Sequence, residues 1–83
     1  MNILLIEDDA SIAIVITAAL EAEGFEVTRC ETIAERNKLL AERRFSALVT
    51  DVMLPDGDGI ETLGLVHELY PAMPIIILSA QNT

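Results

Sequence analysis

Three apolar runs in this chain end in residues able to do chemistry. Asp51 follows Ala47-Leu48-Val49-Thr50 and precedes Val52-Met53-Leu54-Pro55-Asp56-Gly57-Asp58-Gly59, where Pro and Gly break any continuation. Glu7-Asp8-Asp9 ends Ile3-Leu4-Leu5-Ile6, and Ser79 ends Ile75-Ile76-Ile77-Leu78. Carboxylates at the C-terminal ends of parallel strands sit where open α/β sheets bind ligands. Two such charges about 4 Å apart repel by roughly 4 kcal/mol at an effective dielectric near 20. A fold keeps that arrangement if a cation occupies it or one carboxyl stays protonated. Hard carboxylate oxygens with few protein ligands suit Mg²⁺. Beside such an ion, a free oxygen of Asp51 is placed for in-line attack on phosphorus, giving an acyl phosphate. Ser79 can donate to a phosphoryl oxygen, and the turn after Asp51 offers the Met53 carbonyl to the metal and N–H groups to the anion.

The elements that must position these groups alternate. After the first strand, Asp9 or Ser11 caps a helix whose Ile12, Val15, Ile16, Ala19 and Leu20 recur at three- and four-residue spacing, and Gly24 ends it. Phe25 to Arg29 alternates apolar with polar, as an edge strand does. Thr32-Ile33-Ala34-Glu35 matches a capping box. The helix behind it runs to about Arg43 with Ile33, Leu40 and Ala41 inward. Phe45 to Thr50 is the third strand. Ile60, Leu63, Val66 and Tyr70 mark a third helix, which Pro71 terminates. Ile75 to Ser79 is a fourth strand, apolar throughout as if buried on both faces.

This β-α-β-α-β-α-β order predicts an α/β domain with a parallel sheet and right-handed crossovers. With the second strand at an edge, the strand order is 2-1-3-4. Strands one and three are then neighbours, and Glu7, Asp8 and Asp51 meet at the topological switch point. The chain stops four residues after Ser79, which leaves the fourth strand as a bare apolar edge of the kind proteins usually cover. A further strand, or a second copy forming a homodimer or strand-swapped oligomer, is expected to cover it.

Composition narrows the function classes. Eighty-three residues make one domain, which buries only about 60–65% of its unfolded surface and is expected to be marginally stable. Fourteen acidic against five basic side chains give a net charge of −9, which disfavours direct nucleic-acid binding and suits a cation or a basic partner. The single Cys30 excludes a disulfide framework and reads as an inert strand-end residue. No run approaches the roughly 20 apolar residues of a membrane span, and the N-terminus lacks a basic region, so no signal peptide is expected. A reducing, cytoplasmic setting follows as the default.

Other groups have ordinary explanations. Asp9 fits a capping role, and acids at a helix start gain from the macrodipole. Asp56 and Asp58 read as turn formers, at the wrong spacing for a calcium loop. His67 reads as a surface or half-buried residue. Arg29, Arg36, Arg43 and Arg44 are scattered as on a solvated face. The sequence carries no Gly-rich nucleotide loop, Ser-His-Asp set or zinc spacing.

Together, the acidic triplet after strand one, the Asp51-to-Gly59 segment and Ser79-Ala80 resemble a response-regulator receiver domain over all 83 residues. Ser79-Ala80-Gln81-Asn82 and the Ile-rich strand before it are most similar to receivers of enhancer-binding, nitrogen-regulation regulators. The resemblance implies a flavodoxin-like three-layer sandwich of order 2-1-3-4-5, with residues 1–83 ending after its fourth strand. It implies that Asp51 takes a phosphoryl group from a histidine kinase or phosphotransfer protein. By the same resemblance, Asp8 is the direct Mg²⁺ ligand, Glu7 reaches the ion through water, and Met53 gives it a backbone carbonyl. Ser79 is then the switch hydroxyl, and Ala80 the small residue beside the phosphate. The family's fifth strand ends in a lysine that pairs with the phosphoryl group. The only lysine here, Lys38, lies in the second helix pattern and cannot serve.

The function so implied is a phosphoacceptor that switches an output domain or partner, as in transcription regulation, without turnover of a separate substrate. An alternative is an assembly form that self-associates through the fourth strand without being phosphorylated. An aspartyl-phosphate phosphatase is disfavoured, since the place two residues after the nucleophile, where those enzymes carry a second Asp, is Met53.

Overall fold

The computed structural model describes residues 1–51, 53–54, 57–58 and 62–78; for 53–54 and 57–58 it describes the backbone alone. The strands are β1 (Asn2–Ile6), β2 (Glu26–Cys30), β3 (Ala47–Asp51), β4 (Met53–Leu54), β5 (Gly57–Asp58) and β6 (Ile75–Leu78). The helices are α1 (Ala10–Ala22), α2 (Ile33–Glu42) and α3 (Leu63–Leu69). β2, β1, β3 and β6 form one parallel sheet in that order, which is the expected 2-1-3-4 arrangement. β4 and β5 pair antiparallel, Met53 opposite Asp58, so Asp58 stands in a short strand where a turn was expected. Asp56 and Ile60 lie outside the described residues.

The sheet is covered on both faces because successive strand residues point to opposite sides. Leu4, Ile6 and Leu48 pack with Ile33, Leu40, Leu63 and Val66, so α2 and α3 lie on one face. Ile3, Leu5 and Val49 pack with Ala13, Ile16 and Leu20 of α1 on the other. Burying one such aliphatic side chain stabilises the fold by about 1.5–3 kcal/mol.

Local chemistry sets the helix ends. Asp9 caps α1, its carboxylate accepting from the N–H groups of Ser11 (2.8 Å) and Ile12 (3.1 Å). Gly24, at φ +93°, closes α1 in a Schellman arrangement: its N–H donates to the Glu21 carbonyl, and the Phe25 N–H donates to that of Leu20. Thr32 caps α2 by accepting from the Glu35 N–H at 3.1 Å. Glu35 reaches back to the N–H of Glu31, one residue earlier than a standard capping box requires.

Several expectations about burial need correction. In α1 the inward residues are Ala13, Ile16 and Leu20, while Ile12, Val15 and Ala19 are exposed. That helix is apolar nearly all round, so spacing alone does not select its buried face. In α2, Ala41 is exposed. Arg36, read as a solvated residue, is 1% exposed and donates from Nε and Nη2 to Asn37 Oδ1. Finally, β6 is not buried on both faces: Ile76 and Ile77 stand about half exposed, since among the described residues β3 is its only neighbour in the sheet. Element bounds also shift by one or two residues, with β2 moved from Phe25–Arg29 to Glu26–Cys30, β3 from Phe45–Thr50 to Ala47–Asp51, and Arg43 and Tyr70 standing as the C-caps of α2 and α3.

Candidate functional site

The site begins with strand register. Ile6 pairs with Thr50 in parallel, so Glu7, the next residue on its strand, lies beside Asp51. Glu7 keeps strand pairing on its other side, its N–H donating to the Cys30 carbonyl at 3.0 Å. Asp8 follows in the loop before α1. One carboxylate oxygen from each of Glu7, Asp8 and Asp51 lies within 4.8 Å of the others. The sequence-predicted acidic pocket is therefore assembled, from the ends of two neighbouring strands.

The three carboxylates have different environments. Glu7 is 2% exposed, Asp51 is half-buried and Asp8 is exposed. Burial holds the Glu7 carboxyl above its ordinary value of 4.5, and the charges of Asp51 and Asp8 push it further the same way. The Asp9 N–H, donating to Glu7 Oε2 at 3.2 Å, acts in the opposite direction. Thr50, fully buried, donates its hydroxyl to the Asp51 carbonyl at 2.9 Å and so fixes the backbone that carries the carboxylate.

This donor set is compatible with Mg²⁺. It offers hard oxygens alone, and it holds one carboxyl in a site where ionisation is costly without a compensating cation. Met53 is described as the first residue of β4. Ser79 and Ala80, expected at the same sheet edge, lie outside the described residues. Asp9 takes the capping role expected of it.

One participant was missed. Arg29, read as part of a solvated face, donates from Nε to the Glu7 carbonyl at 3.0 Å and from Nη2 to the Asp8 carbonyl at 3.4 Å. It also pairs with Glu31 at 3.8 Å. The only available signal was its place at the end of a strand adjacent to β1. Cys30, buried beside it, has its thiol pushed up to about 12 by burial and then by the charge of Glu35, which suits an unreactive residue. His67 is exposed on α3.

Comparison with known proteins agrees with this geometry. Residues 3–83 match the family described as the response regulator receiver domain. The chain is 38% identical to the swarming motility regulation protein RssB of Serratia marcescens, over 99% of this chain and 37% of that protein. It is 32% identical to the DNA-binding transcriptional regulator NtrC of a Bradyrhizobium species, over 99% of this chain and 17% of that one. The structure of the MaeR response regulator bound to beryllium trifluoride superposes with a TM-score of 0.90 at 34% identity, over 100% of this chain and 70% of that one. The chain thus spans little more than a third, or less, of these curated relatives. It belongs to the response regulator receiver domain family.

Proposed function

We propose that this member of the receiver family is a phosphoacceptor module in two-component signalling, with Asp51 as the residue modified. The observation that carries the reading is the meeting of Glu7, Asp8 and Asp51, one oxygen of each within 4.8 Å. In the proposed reaction an Asp51 carboxylate oxygen attacks the phosphorus of a phosphohistidine on a kinase or phosphotransfer protein. The P–O bond forms as the P–N bond breaks, and the imidazole leaves with the electron pair. Glu7, Asp8, Asp51 and the Met53 carbonyl would hold Mg²⁺. That ion supplies positive charge to offset the carboxylates and the phosphoryl oxygens.

The chain's own residues account for the remaining requirements. Thr50 holds the Asp51 backbone, and the half-buried side chain leaves the carboxylate open to a donor. Ser79 is proposed as the hydroxyl that moves toward the phosphoryl group, with Ala80 leaving room beside it. That movement would bias the surface around β6 and pass the signal to an output domain or partner.

Residues 1–83 are read as part of one receiver unit working in the cytoplasm, without turnover of a separate substrate. Among the described residues no helix is long and apolar enough to cross a membrane. The charge of −9 argues that any DNA contact belongs to another domain. NtrC is named as a DNA-binding transcriptional regulator, which supports an output in gene control.

The test is to incubate the chain with Mg²⁺ and acetyl phosphate, or with beryllofluoride, and to follow adduct mass or fluorine signals. An adduct that disappears in Asp51→Asn is expected. An adduct of equal yield in that variant would refute the assignment.

A further inference from the structure

We propose that Arg29 is a positioning residue for the acidic pocket, which it serves by pinning the backbone that carries Glu7 and Asp8. This rests on the reading of that pocket as a Mg²⁺ site. Arg29 stands opposite Leu5 in the β1–β2 ladder, two residues before Glu7. Its guanidinium reaches along the strand to the loop and donates to two successive carbonyls, those of Glu7 and Asp8. The regular ladder stops there, with the Glu7 N–H on the Cys30 carbonyl. Beyond that point the chain must turn into α1 while presenting one buried and one exposed carboxylate to the same small volume. A planar fork with fixed donors restrains both peptide planes, which a lysine, a compact point charge with freely rotating donors, does not.

A bland alternative makes the opposite prediction. If Arg29 were only a cation near the pocket, it would repel Mg²⁺, and removing its charge would tighten metal binding. If it positions the ligands, removing it weakens binding in spite of the lost repulsion. The sign of the effect therefore separates the two. Groups that hold the ligands of a metal site typically contribute 10–100-fold in affinity. The lower end suits a side chain that is partly exposed.

The test uses the 83-residue chain and its Arg29→Gln, Arg29→Lys and Glu31→Gln variants, with Mg²⁺ titrated calorimetrically and urea unfolding recorded for each. Expected is about tenfold weaker Mg²⁺ binding in Arg29→Gln, with Arg29→Lys also weakened although its charge is kept. Glu31→Gln, which removes the ion pair and leaves the carbonyl bonds, should bind as the parent does. Amide exchange without metal supplies an independent readout. Arg29→Gln should speed exchange at Glu7 and Asp9 about tenfold, with the urea midpoint and the Leu4 and Leu48 amides unchanged. Equal or tighter Mg²⁺ binding in Arg29→Gln, or unaltered exchange at Glu7 and Asp9, overturns the proposal. If the parent chain binds no Mg²⁺, the phosphoacceptor reading fails, and the metal-free exchange alone decides for or against the clamp.

Discussion

Replacing Asp51 by Asn should make the metal-free protein more stable while removing its response to Mg²⁺. Glu7 and Asp51 present oxygens no more than 4.8 Å apart, so two full charges at that separation repel by about 3.5 kcal/mol at an effective dielectric near 20. Part of this is already relieved. Glu7 resists ionisation, and its carboxyl shares a hydrogen bond with Asp51, itself half open to solvent. A net gain of about 1–2 kcal/mol at pH 7 is the result once screening by water is allowed for. Asn keeps the shape and can donate to Glu7, and the Thr50 hydroxyl bond to the residue-51 carbonyl is untouched. Urea unfolding followed by circular dichroism, first in EDTA, should show the midpoint rising by about 1–2 M, given a slope near 1 kcal/mol per molar for so small a chain. In Mg²⁺ at about 100 times its dissociation constant, the parent should gain about 2.7 kcal/mol and the variant little, so that their order inverts. A variant less stable than the parent in EDTA would refute the reasoning, as would equal Mg²⁺ stabilisation of both. Either result would mean that Asp51 is held by contacts and not by a shared cation.

The remaining predictions concern the scaffold. Gly24→Ala should cost about 1–2 kcal/mol, because at φ +93° an L side chain is strained even though nothing lies within 4 Å of the added methyl. Gly64→Ala, at an exposed position of α3 with equal space, should instead stabilise by about 0.5–1 kcal/mol, and chemical denaturation of the pair checks the opposite signs. Cys30 has a folded value of about 12 against an ordinary 9.0, so its neutral thiol contributes stability that is whole below pH 9 and is lost as pH rises from about 9 to 12. Unfolding from pH 8 to 10.5 should show that slope in the parent and a flatter one in Cys30→Ala, and iodoacetamide at pH 8.5 should alkylate the thiol only after urea is added. Tyr70→Phe should cost about 1 kcal/mol of unfolding free energy, since it removes the donor to the Leu40 carbonyl (3.0 Å) that ties α3 to α2.

Sheet order and the acidic pocket were legible in the sequence for a common reason. Both follow from where apolar runs stop, and that is written in residue types. A run covered on both faces, such as Ile3 to Ile6, announces a central strand, and the acid directly after it must stand at the strand's end. The buried face of α1 was not legible, because Ile12, Ile14, Val15 and Ile16 are all apolar and spacing cannot rank them. The choice was made by the Asp9 cap, which fixes where the helix starts, and by the sheet, which admits Ala13, Ile16 and Leu20. Arg36 was misread because a guanidinium can be buried when Nε and Nη2 find an acceptor as close as Asn37, a pairing between adjacent residues that periodicity does not report.

Arg29 is the more instructive omission. A charged side chain is ordinarily assigned a partner by looking for the opposite charge, and its acidic partner Glu31 is exposed and 3.8 Å away, a contact of small energy. Its better bonds go to the carbonyls of Glu7 and Asp8, and every residue has a carbonyl. A backbone acceptor carries no residue type, so no scan of the sequence can single it out. It becomes visible only when the β1–β2 register sets Arg29 opposite Leu5, within reach of the point where the ladder ends and the pocket begins. The carboxylates of this site can therefore be read from composition and spacing. What holds them in place depends on three-dimensional register, and substitutions at Arg29 should change metal affinity without touching any residue that a ligand pattern would name.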